Sequence, residues 1–140
     1  MNAEEIVNTM MKLDYFSQWL GISVVEIKEN YCKLKMIIRK DMLNGFGIAH
    51  GGITYSLADS ALAFASNSKG RKSVSIETSI SHLISLCEND EIVAEACCET
   101  ETEKLGHYRI KVFKIAEPAK SVALFKGIVY KTSKNWDLNS

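Results

Sequence analysis

The sequence predicts an α+β fold: a curved antiparallel sheet of five to six strands wrapped around one long central helix, with a short N-terminal helix ahead of them. Three observations carry this prediction. The run 53–68 is apolar or small on almost every side, the pattern of a buried helix. The strand-like segments that follow are joined by short turns, which implies hairpins and antiparallel pairing. Strands and helices do not alternate, which argues against a doubly wound parallel sheet.

The elements follow in order. Residues 3–13 place apolar side chains at 6, 7, 10, 11 and 13, a helical spacing with acids in the first turn. Tyr15, Phe16, Trp19 and Leu20 extend an apolar patch to Gly21. Residues 22–29 and 31–40 read as two strands around a Glu29-Asn30 turn. In the second, Cys32, Leu34, Met36 and Ile38 share one face. The buried helix comes next, then a basic loop, Lys69-Gly70-Arg71-Lys72. Residues 73–87 read as one long half-buried strand, with Val74, Ile76, Thr78, Ile80, Ile84 and Leu86 on the inner face and serines on the outer. After the turn at Glu88-Asn89-Asp90, residues 91–103 place Glu95, Glu99, Glu101 and Glu103 on one face. A turn at Lys104-Leu105-Gly106 leads to a strand at 107–116, whose His107, Arg109 and Lys111 are expected to face those glutamates. The only proline, Pro118, marks the last turn. Residues 121–132 close the sheet, and the polar tail from Ser133 is expected to be loose.

The chain has 140 residues, enough for one domain with a proper core, and shows no repeat or linker, so a single domain over 1–140 is expected. Lys+Arg and Asp+Glu both number 17, giving a net charge of +0. That balance argues against a nucleic-acid binder, which neutralises phosphates with excess cations. It also gives little repulsion between copies, which suits self-association. Cys32, Cys87, Cys97 and Cys98 form no C-x-x-C pair and are not grouped with histidines, so no metal site is expected and the cysteines read as reduced core residues. The acidic start Met-Asn-Ala-Glu-Glu lacks a signal-peptide block, and no apolar stretch reaches membrane-spanning length. The expectation is a cytoplasmic protein with no membrane partner.

The most informative stretch is Asn44-Gly45-Phe46-Gly47-Ile48-Ala49-His50-Gly51-Gly52, running straight into the buried helix with Asp59 in its middle. A buried carboxylate is costly unless something pairs with it or uses it. The pattern Asn44…Gly47…His50-Gly51-Gly52…Leu57-Ala58-Asp59, with Asn67-Ser68…Gly70 at the helix end, resembles the hotdog-fold acyl-CoA thioesterases of the phenylacetate-degradation type. The resemblance implies a hotdog fold, hydrolysis of an acyl-CoA thioester without metal or other cofactor (CoA being part of the substrate), and a homodimer, often a homotetramer, with active sites at the interface. It also implies Asp59 as the catalytic acid, Gly51 as the polarising amide, Asn44 as the turn asparagine, His50 in the family's histidine position, and Ser75 as a residue aligning water.

The residue types suit that chemistry. A helix N-terminus offers unpaired N–H groups and a positive dipole end to a developing oxyanion. Glycine at 51 and 52 lets a carbonyl oxygen approach closely. Asp59 can serve as general base on water or as a nucleophile forming an anhydride; the sequence leaves both open. On one helix, Gly51 and Asp59 lie roughly 12 Å apart along the axis at about 1.5 Å per residue. One carbonyl carbon cannot meet both, so if both act on one substrate they must come from different chains. His50 can assist the leaving thiolate or simply bond the turn. His82 breaks the phase of its strand and reads either as pocket lining or as a core histidine. CoA phosphates call for cations, with Lys104, His107 and Arg109 as candidates beside Lys69, Arg71 and Lys72. Tyr55, Leu62, Phe64, Phe16 and Trp19 read equally as acyl-pocket or core residues. Two other readings stay open: a dehydratase or isomerase acting on acyl thioesters, and a non-catalytic acyl-CoA-binding domain.

Overall fold

The computed structural model describes residues 1–137. Helix α1 (Ala3–Leu13) opens with a capping box in which Asn2 and Glu5 each accept the other's backbone N–H. Helix α2 (Tyr15–Leu20) is capped by Asp14 and ends at Gly21, whose φ of 75° stops the helix in the left-handed region. Strands β1 (Ser23–Lys28) and β2 (Tyr31–Ile37) form the expected hairpin, with Asn30 at φ 61° in its turn. A 3-10 turn (Lys40–Met42) and the glycine-rich segment lead into α3 (Gly51–Asn67). Strands β3 (Arg71–His82), β4 (Glu91–Glu101), β5 (Leu105–Lys114) and β6 (Ser121–Asn135) complete one sheet of order β1-β2-β4-β5-β6-β3, antiparallel throughout.

The sheet curves around α3, and the helix fills the concave side. Leu57, Ala58, Ala61, Leu62, Phe64 and Ala65 are buried in it against Leu34, Ile92, Ala94, Ile110 and Phe125. Burying a large apolar side chain contributes roughly 1.5–3 kcal/mol, so this single helix anchors the core. The contact is close enough to dictate a glycine: a Cβ at Gly127 would lie 2.5 Å from Leu62 Cδ2.

Several sequence expectations need correction. β3 is an edge strand and ends at His82; residues 83–90 carry no strand. Between Ser75 and Glu77 it bulges, because Ser75 pairs with Val129 while Glu77 pairs with the next residue back, Ile128. The extra residue switches the phase. Ser75, Thr78 and Ile80 therefore share a register face with Val129, Gly127 and Phe125, while Val74 and Ile76 are 56% and 59% exposed. A second bulge, between Cys98 and Thr100, splits the glutamates. Glu95 pairs across from Lys111 as expected, and Arg109 meets Glu99 at 3.2 Å. Glu101 instead takes Lys69 at 2.7 Å and Lys131 at 3.2 Å, which hold its carboxyl below the ordinary glutamate range. Arg71 and Lys72 belong to β3 rather than to a loop. The basic cluster is also internally bonded: Arg71 Nη1 donates to Glu103 O at 2.7 Å and its Nε to Thr132 O at 3.0 Å. Within the described residues the tail is pinned through Trp136, whose Nε1 donates to Asn67 Oδ1 at 2.9 Å and whose ring carries Lys72 Nζ at 4.7 Å; residues 138–140 of the tail expected to be loose lie outside the described residues. Of the cysteines only Cys32 is buried in the core; Cys87 and Cys97 are exposed.

Candidate active site

The glycine-rich turn is built by its own backbone. Asn44 N–H donates to Ile48 O at 2.8 Å, and Gly47, at φ 77°, donates back to Asn44 O at 3.0 Å. Asn44 Oδ1 accepts from Phe46 N–H at 2.9 Å and from Ile48 N–H at 3.4 Å, so this side chain templates the loop. Ala49 N–H reaches Leu86 O at 2.8 Å and His50 N–H reaches Met42 O at 2.9 Å, tying the turn to both flanks.

His50 is the N-cap of α3. Its Nδ1 accepts Gly52 N–H at 2.9 Å, which requires an unprotonated Nδ1 and leaves Nε2 as the donor in the neutral ring. Ile53 N–H donates to His50 O at 2.9 Å. Gly51 N–H is a helix-start donor that no described group accepts. His82, at the end of β3, lies against this glycine: a Cβ at Gly51 would meet His82 Nε2 at 3.1 Å. Asn44, Gly51, Thr54, His82 and Leu86 help line a groove of about 240 Å³ beside this helix start.

Asp59 sits two turns further along α3, half-buried. Its carboxylate has no hydrogen-bond or ion-pair partner among the described residues. Burial raises its pKa above the ordinary aspartate value, and the charge of Asp14 adds to the rise. The groove at Gly51 does not reach it. The helix geometry separates the two by roughly 12 Å, as the spacing requires.

Helix start and carboxylate thus present a donor for a developing oxyanion and an unspent base, the two groups that acyl transfer to water needs. The sequence profile of the thioesterase superfamily matches residues 46–117, which take in most of the turn, α3, β3, β4 and β5. The chain belongs to the thioesterase superfamily. The acyl-coenzyme A thioesterase PaaI of Escherichia coli is 32% identical over 120 residues, spanning 86% of this chain and 84% of that one. A protein of Archaeoglobus fulgidus, named only as a candidate esterase, is 37% identical over 133 residues, or 95% of this chain and 85% of its own length. The solved structure of E. coli PaaI, from the phenylacetic acid degradation operon, superposes with a TM-score of 0.91 at 30% identity, covering 95% of both chains. The fold is therefore the hotdog fold, and the enzyme class that of a thioester hydrolase.

Within this superfamily member, the candidates from the sequence divide into those at the helix start and those apart from it. Asn44, His50, Gly51, Gly52 and His82 gather at the helix start. His82 is exposed, which rules out the core reading. Ser75 lies one residue before the β3 bulge, in register with Val129 and exposed. Lys104, His107 and Arg109 do not converge on the turn: Lys104 lines a groove with Tyr130, His107 another with Lys126, and Arg109 is engaged with Glu99. Leu62 and Phe64 are core residues; Phe16 and Trp19 are exposed and stacked at 6.0 Å, with Arg39 over the Trp19 ring. Tyr55 packs edge-on to Phe125 at 5.2 Å, and its hydroxyl bonds Thr78. Thr54 and Asp14 are additions that the sequence reading missed. Thr54 was hidden by its place in an apolar run; Asp14 carried a signal in the Asp-x-x-Ser start of α2. Among the described residues no three His, Cys, Asp or Glu side chains cluster as metal ligands would, and no helix is long and apolar enough to cross a membrane.

Proposed function

We propose that this chain, as a single domain over residues 1–140, is a cytoplasmic acyl-CoA thioesterase that hydrolyses an acyl-CoA to the free acid and CoA. The observation that carries the reading is the pair on α3: an open helix-start N–H at Gly51 and an unpartnered, half-buried Asp59. The thioester carbonyl oxygen accepts Gly51 N–H and gains from the positive helix end. Asp59 removes a proton from water, or attacks the carbon itself and is regenerated by water through an anhydride. The tetrahedral intermediate collapses, the C–S bond breaks, and CoA leaves as a thiolate that takes its proton from solvent, to which Asp59 gives up any proton it removed from water. Asn44 shapes the turn, His50 orients Gly52 and can donate from Nε2, and His82 walls the carbonyl site. Ser75 is assigned to water alignment, and Lys104, His107 and Arg109 to the CoA phosphates. No metal or cofactor enters this chemistry.

Because Gly51 and Asp59 of one helix cannot reach one carbon, the proposal requires a homodimer with composite sites, and a homotetramer is the larger assembly expected. The exposed apolar Val74 and Ile76 on the β3 edge support pairing there, since an uncovered apolar edge strand invites another strand. His50 Nδ1 is engaged by Gly52, which gives the dehydratase reading no free base in the turn. Purified protein should release CoA thiol from a panel of short, medium and aromatic acyl-CoAs. Asp59→Asn should lose most of this turnover while keeping its fold. Unchanged turnover in Asp59→Asn sinks the assignment.

A further inference from the structure

One chain of hydrogen bonds near Asp59 has no part in the chemistry above. Asp14, the N-cap of α2, accepts Ser17 N–H through Oδ1 at 2.9 Å and the Ser17 hydroxyl through Oδ2 at 2.6 Å. Ser17 Oγ lies 2.8 Å from Ser60 Oγ on α3. With Ser17's proton given to Asp14, Ser60 is the donor in that pair. Both serines are buried, at 1% and 8% exposure. Ser60 is the residue next to Asp59.

An isolated N-cap needs one of these bonds. Here the cap carboxylate is doubly bonded, and the link runs on to the catalytic helix. The α1–α2 junction is thereby fixed on α3 at the position of the proposed base. Arg39 clamps the other end of α2, its Nη1 on Leu20 O at 3.1 Å and its Nη2 on Trp19 O at 2.8 Å. A segment held at both ends keeps Asp14's charge at a fixed place.

We propose that Asp14 is a positioning residue for the thioesterase base: through Ser17 and Ser60 it locks α2 beside Asp59 and holds a second negative charge against that carboxylate. This rests on the reading of Asp59 given above. The direction of the Asp59 shift agrees. Burial is the larger cause of the rise in the Asp59 pKa; among the charged groups on the elements packed against α3 (α1, α2 and the strands of the sheet), Asp14 adds to it and opposes ionisation. A carboxylate kept closer to neutral pH is a stronger base when ionised.

The test is the pH profile of kcat/KM for CoA release by the intact protein, with Asp14→Asn and Asp14→Ser. Both variants keep a capping oxygen and remove the charge. The activity requires ionised Asp59, so kcat/KM rises with pH through its pKa. Removing a like charge lowers that pKa. The acid limb should therefore move to lower pH in both variants. Ser17→Ala keeps the charge but removes the hydroxyl that ties it to Ser60, and should move the limb in the same direction by less than the Asp14 variants do. A ¹³C NMR titration of the Asp59 carboxyl should show the same displacement without reference to turnover. An unmoved limb and an unmoved carboxyl titration in both Asp14 variants overturn the inference, and so does an equal displacement in Ser17→Ala. Turnover retained in Asp59→Asn would instead defeat the functional assignment, while the NMR comparison would still decide whether Asp14 acts on Asp59.

Discussion

Asp59→Asn should make the protein more stable at neutral pH while making it a poor enzyme. The side chains have nearly the same shape, so the change removes a charge and little else. Asp59 is half-buried, has no partner among the described residues, and has its pKa raised by burial and by Asp14. A carboxyl whose folded pKa lies above its unfolded value binds its proton more tightly in the folded state. Its stabilising contribution is complete below the unfolded pKa and is lost as pH rises through the folded pKa. At pH 7–8 the ionised group is therefore a burden on the fold. No fully buried side-chain oxygen among the described residues lacks a partner, so the Asp59 carboxylate reaches solvent and its cost is that of partial desolvation screened by water, on the order of 1 kcal/mol. For a chain of this size that is a rise in Tm of roughly 2–5 °C in the variant. Thermal melts of both proteins from pH 3 to pH 8 should show the gap opening as pH rises and closing at the acid end. The thiol-release assay should show kcat/KM down by about 10²–10⁴-fold, the range for losing a general base. A variant less stable than wild type at pH 8 would mean that the carboxylate makes a bond the fold needs, and the reasoning would fail.

Gly127→Ala should destabilise by about 1–3 kcal/mol in denaturant titration, because its Cβ would stand 2.5 Å from Leu62 Cδ2 in a packed core. Ile76→Glu, alone or with Val74→Lys, places charge on the exposed β3 edge and should yield a monomer by light scattering that folds yet has lost CoA release. Trp136→Ala removes the indole N–H bond to Asn67 and the Lys72 contact; melts should show a loss of roughly 1–3 kcal/mol, with turnover per folded molecule unchanged.

Periodicity made the helices and strands legible where each residue answers only to its own face. Helix α1 begins and ends where the 3–13 spacing places it, and Cys32, Leu34, Met36 and Ile38 are buried as their alternation requires. Periodicity failed where a single extra residue changes the count. Ile76 in β3 and Glu99 in β4 are such residues, and nothing in their side chains marks a bulge. A one-residue slip moves every later side chain to the other face, which is why Ser75 shares the Thr78 face and Glu101 leaves the glutamate row. The turn at 44–52 was legible because glycines and an asparagine have few other reasons to be spaced so. The Trp136 anchor was not, since a tail's docking depends on Asn67 being within reach 69 residues away.

Helix α3 also shows why the candidate site could be read from so short a stretch. Its positions serve two different ends. Leu57, Ala58, Ala61, Leu62, Phe64 and Ala65 are spent on the core, where small and large residues fit the curve of the sheet. Gly51 and Asp59 contribute nothing to that packing: one leaves a donor unused, the other leaves a charge without a partner. An open first-turn N–H is ordinary at a helix start, as in α1 and α2, but a helix under selection for stability alone would replace the unpartnered carboxylate. A local rule broken on a helix that otherwise obeys it points to function rather than structure. Gly51 and Asp59 lie on one rigid rod, so their separation is fixed by helix geometry. Only a second helix lying antiparallel to the first would bring a Gly51 and an Asp59 to the same carbon, and the two-fold axis that does so once does so twice.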